Sequence, residues 1–139
     1  MTNRCGQCMC GAVRFEAVDV GSEFGICHCI MCQQWASGPF PAINVATVSF
    51  ESEDNLTRFQ SSAWAERGFC KLCGSNIFYR VVSDGSYDMS LGAFDDKLGF
   101  ELRHEIFIDQ KPDCYSFAGN HKRLTDAETM ALYPEFTAP

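Results

Sequence analysis

Apolar and polar residues alternate in short stretches along this chain, at Val13-Arg14-Phe15-Glu16-Ala17, Val48-Ser49-Phe50-Glu51, Leu56-Thr57-Arg58-Phe59 and Ile77-Phe78-Tyr79-Arg80-Val81-Val82. A period of two sends alternate side chains to opposite faces of an extended segment, so each stretch predicts a strand. Tyr87-Asp88-Met89-Ser90-Leu91 and His104-Glu105-Ile106-Phe107-Ile108 have the same length and the same β-branched or aromatic content, and they are set off by turn signals at Asp84-Gly85 and Lys111-Pro112-Asp113. Near the C-terminus the pattern changes. Thr125-Asp126-Ala127-Glu128 has the spacing of a capping box, and Pro134 ends the run that carries Met130, Leu132 and Tyr133, which predicts one short helix. A second helix of about two turns fits between Cys29 and Trp35, before Ser37-Gly38-Pro39. The expectation is a mainly β fold with a short C-terminal helix, no internal repeat, and fraying at Phe136 to Pro139.

Composition narrows this picture. With 139 residues, 46% of them hydrophobic, the chain closes one core and is too short for two, so residues 1–139 are expected to form a single domain. The N-terminal residues carry no apolar run of signal-peptide type, and no stretch approaches the roughly 18 apolar residues that span a bilayer. A cytoplasmic protein without membrane contact is expected. A formal net charge of −7, with eleven Lys and Arg thinly spread, leaves no basic footprint for a phosphate backbone and argues against nucleic acid as a partner.

The cysteines change the reading most. There are nine, and eight fall before residue 74 in three groups: Cys5, Cys8 and Cys10; Cys27, Cys29 and Cys32; Cys70 and Cys73. In a reducing compartment such density favours metal binding or redox chemistry over disulfides. Two thiolates one or two residues apart can reach one tetrahedral zinc ion, and two such pairs complete a site, so Cys8 and Cys10 are expected to share zinc with Cys70 and Cys73. Gly74 follows the second ligand of its pair, where a left-handed turn would aim backbone N–H groups at the sulfurs, and Gly11 repeats the arrangement. A thioredoxin-like redox pair at Cys70 and Cys73 is the rival, but it belongs in a βαβ setting, whereas strand-like sequence flanks this pair on both sides. Chance burial of small apolar thiols does not predict three clusters.

Cys27-His28-Cys29-Ile30-Met31-Cys32 offers three thiolates, which with an exchangeable fourth ligand match the open coordination of a catalytic zinc. The bland alternative is a second closed site completed by Cys5, Cys114 or His28. His28 lies between two ligands and is expected to point away from them. A lone histidine is more often satisfied or solvated than a ligand, which applies equally to His104 and His121.

Taken together, Cys8-x-Cys10-Gly11-Ala12-Val13-Arg14-Phe15, Cys27-His28-Cys29-x-x-Cys32 and Phe69-Cys70-x-x-Cys73-Gly74-Ser75 resemble the glutathione-dependent formaldehyde-activating enzyme family, which includes centromere protein V. Ala36-Ser37-Gly38-Pro39-Phe40, Leu91-Gly92-Ala93-Phe94-Asp95 and His104 to Ile108 extend the likeness over most of the chain. The resemblance implies a small zinc-centred β fold like that of the Rab guanine-nucleotide-exchange chaperone. It implies structural zinc at Cys8, Cys10, Cys70 and Cys73, and a second, catalytic zinc at Cys27, Cys29 and Cys32. It also implies a carbon–sulfur lyase activity, the joining of formaldehyde and glutathione to S-hydroxymethylglutathione, with glutathione or another small thiol adduct as partner. Cys5 and Cys114 depart from the family pattern. The alternative from another class is a zinc-stabilised protein-binding module without catalysis, which an exposed apolar patch beside two closed zinc sites would favour. A third reading, a thiol or zinc redox sensor, would release metal from the middle cysteines on oxidation. Arg14, Arg58, Arg67, Lys71 and Arg80 are the cations near the cysteine segments, and on strands such charges are usually solvated.

Overall fold

A computed structural model of the protein describes residues 2–134; the expected fraying at residues 136–139 lies outside them. In chain order the elements are β1 (Thr2–Gln7), β2 (Arg14–Val20), β3 (Glu23–Cys27), α1 (Ile30–Ala36), β4 (Phe40–Val45), β5 (Thr47–Phe50), β6 (Leu56–Gln60), β7 (Ala65–Cys70), β8 (Asn76–Val81), β9 (Tyr87–Ser90), β10 (Glu101–Ile106), β11 (Lys122–Arg123) and α2 (Asp126–Leu132). All six alternating stretches are strands. Both helices form, α2 with its capping box closed between Thr125 and Glu128. Some boundaries differ from expectation, most at β10, which stops at Ile106 because Phe107 takes a left-handed conformation (φ 53°) that turns the chain into a single 3₁₀ turn.

Five strands carry no clear alternation. β4 contains Pro41, which lacks the N–H a ladder normally uses, and β3 contains Gly25. β7 places the charged Glu66 and Arg67 inside a run whose neighbours are buried. β1 is largely exposed, and β11 is two residues long.

The strands form two sheets. One has the order β1-β2-β5 and is antiparallel throughout; the other has eight strands in the order β11-β10-β3-β4-β9-β8-β7-β6, parallel only where β10 meets β3 and β11. The large sheet is covered on both faces, so several of its strands bury both sets of side chains. One face sends Ile43, Val45, Phe78 and Met89 into a core shared with Val13, Phe15, Ala17 and Val20 of the small sheet's side. Gly68 lies opposite Phe78 in the β7–β8 register, and a Cβ there would come within 2.2 Å of the ring, so only glycine lets that ring lie on the backbone. The other face carries Phe40, Ala65, Tyr79 and Val81, which pack with Cys32, Trp35 and Trp64 beneath α1. That second face holds the middle cysteines.

Candidate metal centres

Cys8 and Cys10 lie in the turn between β1 and β2, and Cys70 ends β7 with Cys73 in the turn to β8. Two hairpin turns about sixty residues apart are thereby brought together, and the four sulfurs all lie within 4.8 Å of one another. Four thiolates at about 2.3 Å from a tetrahedral ion stand about 3.8 Å apart. The Sγ separations of Cys8 to Cys10 and Cys10 to Cys70 are 3.6 and 3.8 Å. Gly11 and Gly74 both have positive φ (79° and 77°), which closes each turn behind its second cysteine. The Val13 N–H donates to the Cys8 sulfur, and Ser75 receives the Met9 N–H while its hydroxyl sits 3.2 Å from the Cys73 sulfur. Bonds from the Ser75 side chain and backbone lower the Cys73 pKa to about 5, as suits a metal-binding thiolate. The setting is a β-hairpin, not the βαβ unit of a redox pair.

Cys27 ends β3, and Cys29 caps α1 by accepting the Cys32 N–H on its sulfur at 3.3 Å. One extended residue and one turn of helix therefore bring three sulfurs within 4.8 Å of one another. Among the described residues no other Cys, His, Asp or Glu joins this group, so Cys5, Cys114 and His28 do not complete it. Hydrogen bonds from the Cys27 and Cys32 thiols lower the Cys29 pKa to about 2, with the Cys32 N–H and the Arg67 charge adding to the effect. Cys27 is pushed well up by its two partners and by burial; Cys32 rises to about 11, the effects of Cys29 and burial outweighing the opposing bond to Cys27. Ionisation of one thiol opposes that of the other two. A soft divalent cation lets all three ionise together, so the donor set fits zinc.

Arg67 is the correction to the expectation of solvated strand cations. It is 3% exposed, with its guanidinium nitrogens 3.6 and 3.7 Å from the Cys32 sulfur and its guanidinium carbon 5.0 and 5.1 Å from the rings of Trp35 and Tyr79. A buried cation held between two aromatic faces and aimed at a cysteine sulfur compensates negative charge on the cysteine group. Arg58 and Arg80, by contrast, are paired with Glu66 away from this site.

The segment is also held from behind. His28 is fully buried and points away from the sulfurs, its Nε2 2.6 Å from Glu105 Oε1. The other Glu105 oxygen receives His121 Nε2 at 2.5 Å and Arg123 Nε at 3.2 Å. The His28 N–H bonds to the Ile106 carbonyl, and Gln33 bridges the His28 and Gln110 carbonyls. Sequence reading missed Glu105 because its partner His28 lies 77 residues away, and it read His121 as satisfied or solvated without finding the carboxylate that satisfies it. Burial would raise the Glu105 pKa, but the bonds from His121 and His28 outweigh it and hold the carboxyl below its ordinary 4.5. A depressed carboxyl stabilises the fold fully above that ordinary value, and the contribution disappears as pH falls through the lowered folded value. Glu105→Ala should cost about 3–5 kcal/mol in denaturant unfolding at neutral pH, and Glu105→Gln should flatten the acid limb of the wild-type stability curve. An unchanged midpoint and an unchanged acid limb would remove this network from the supports of the site.

The trio opens on a cavity of ≈ 720 Å³ whose wall includes Cys27, Cys29, Cys32, Phe40, Trp64 and Tyr79. Ile30, Met31 and Met130, all partly or largely exposed, stand at its lining as well. The second group of cysteines is thus open on a cavity of ligand-binding size. Among the described residues no helix is long and apolar enough to cross a membrane.

Comparison with known proteins agrees with this geometry. The sequence model of the glutathione-dependent formaldehyde-activating enzyme family matches residues 3–110. An uncharacterized lyase of Schizosaccharomyces pombe is 32% identical over 127 residues, covering 90% of this chain and 93% of that protein. A Halomonas elongata protein named for glutathione-dependent formaldehyde activation is 28% identical over 123 residues, covering 78% of this chain and 76% of its own length. The crystal structure of a Rhodobacter sphaeroides protein shares the fold with a TM-score of 0.56 at 22% identity, over 66% of this chain and 87% of that one.

Proposed function

This chain belongs to the glutathione-dependent formaldehyde-activating enzyme family, and from that premise we propose that it is a zinc-dependent carbon–sulfur lyase, a single domain over residues 1–139, acting on a glutathione adduct. The reaction assigned is the addition of glutathione to formaldehyde to give S-hydroxymethylglutathione, or the same addition with a related thiol adduct, together with its reverse. One observation carries the reading: three sulfurs and no fourth protein ligand among the described residues, in the wall of a ≈ 720 Å³ cavity. Cys8, Cys10, Cys70 and Cys73 are assigned the structural zinc, and Cys27, Cys29 and Cys32 the second.

When bound by the trio, zinc would supply a Lewis acid that lowers the pKa of an incoming thiol. The chain's own residues do the rest. Arg67 offsets the negative charge gathered at Cys32. Glu105, through His28, fixes the backbone between Cys27 and Cys29, so the sulfurs are placed before substrate arrives. Phe40, Trp64 and Tyr79 line the cavity beside the sulfurs with aromatic surface. An exposed apolar patch beside two closed sites would favour the alternative of a protein-binding module without catalysis, and the three-donor group favours the enzyme.

Exchange NMR between glutathione, formaldehyde and their adduct tests the reading. The protein carrying two zinc ions should accelerate interconversion in proportion to its concentration. Protein with full zinc that leaves the rates at their uncatalysed values would move the binding-module reading ahead.

A further inference from the structure

Thiol addition to an aldehyde places negative charge on the former carbonyl oxygen, and a hydrogen-bond donor aimed at that oxygen is the usual means of steadying it. No cysteine of the site can be that donor while it serves as a metal ligand. Such a donor must be a polar group of the cavity wall with an unused proton.

Most polar side chains in the lining are already engaged. Asn44 donates to Asp88, Asp84 accepts the Ser86 N–H, Gln110 bonds to the Ile30 N–H and Asp126, and Arg103 faces Glu23. Arg67 is held against Cys32. Tyr79 differs. It is 7% exposed, its ring lines the cavity, and its hydroxyl proton finds no acceptor among the described residues, the Trp64 indole beside it being a donor only. Of the buried side chains with a polar atom left short of partners, it alone belongs to the cavity wall.

A buried hydroxyl whose proton is left unpaired costs stability, so a fold that keeps one commonly uses it on a ligand. The register explains how it gets there. Tyr79 of β8 stands opposite Arg67 of β7 and Asp88 of β9, in one row across the face that carries the cysteines. Arg67 reaches Cys32 from the same row, so the phenol shares the immediate neighbourhood of the reactive sulfurs. Burial above all, and then the Asp88 charge, drive the phenol pKa upward, against a hydrogen bond from the Trp64 indole and the Arg67 charge. The group therefore keeps its proton at neutral pH and is available as a donor.

We propose that Tyr79 is a catalytic hydrogen-bond donor of this cavity, holding the oxygen of a neutral carbonyl compound, an aldehyde, while the thiol adds to its carbon. The proposal rests on the reading of the Cys27, Cys29 and Cys32 cavity as a site of thiol addition. In the step, the sulfur–carbon bond forms from the thiolate electron pair, and the carbonyl π pair moves onto oxygen. Tyr79 donates its hydrogen bond to that oxygen as charge develops and retains its own proton. The proton that the thiol lost to solvent on ionisation is replaced by one taken up at the oxygen, giving the neutral hydroxyalkyl thioether. The reverse reaction uses the same contact.

Tyr79→Phe removes the hydroxyl alone. Exchange NMR with glutathione and formaldehyde should show kcat reduced by about 10²-fold or more, with zinc content unchanged and the glutathione Kd from calorimetry unchanged. Because the lost hydroxyl donates to nothing in the free protein, the thermal midpoint should stay within a few degrees of wild type, whereas a structural hydroxyl would lower it well below that. A Tyr79→Phe protein with wild-type kcat overturns the role of Tyr79 and leaves the lyase reading standing. Loss of zinc, of glutathione binding or of thermal stability together with activity overturns it too, by showing a structural role. A zinc-replete wild type that does not accelerate the reaction removes the lyase reading and this proposal with it.

Discussion

Cys29→Ser is expected to leave a folded protein that holds about one zinc ion where wild type holds about two, and that no longer binds glutathione. The three sulfurs of the middle group sit on a short helix and the end of an inner strand, and that segment is anchored independently by His28, Gln33 and Gln110. Removing one donor therefore empties the second centre without releasing the fold. A metal acting as Lewis acid supplies several kcal/mol at the transition state, so activity should fall by on the order of 10³-fold. Elemental analysis, calorimetry with glutathione and a thermal scan measure the three effects. A variant that keeps two zinc ions, or a wild type in which glutathione produces no heat, would remove these cysteines from substrate binding.

Cys70→Ser should behave in the opposite way and fail to fold. Cys70 is fully buried, and its group joins two turns that no other cysteine links. A structural zinc site contributes about 10 kcal/mol or more, which is comparable to the whole stability of a domain, about 5–15 kcal/mol. The expected result is a chain with no cooperative thermal transition and no fixed aromatic circular dichroism, even with zinc in excess. A Cys70→Ser protein melting within a few degrees of wild type would mean that the four sulfurs do not hold a structural ion. The contrast between the two variants matters more than either alone, because only two centres of different kind predict one folded and one unfolded outcome.

Much of this arrangement was legible before the fold was known. Six strands and both helices follow from periodicity and capping residues, which are properties of neighbours in sequence. The two cysteine groups are legible for a related reason: a metal ion demands particular atoms at short spacing, and that demand is written locally even when the partners are distant. The strands that were not legible are those whose burial is imposed from outside. β4 accepts Pro41 and β7 accepts Arg67 because strands on either side supply what the local sequence lacks.

Arg67 and Tyr79 show where local reading ends. Arg67 reads as a solvated cation on a segment without clear alternation, and Tyr79 as an ordinary member of an alternating strand. Only the β7–β8 register sets them side by side, and only the packing of α1 on that face aims the guanidinium at Cys32. Glu105 and His28 repeat the point from the other side, since β10 must run parallel to β3 before the carboxylate can hold the imidazole. The sequence alone determined the mainly β character and which cysteines act together, because periodicity and ligand spacing are short-range. The tertiary structure decided which charges are buried, which hydroxyl keeps an unused proton and that the middle group opens on a cavity, because those properties arise from contacts between segments that the chain brings together only on folding.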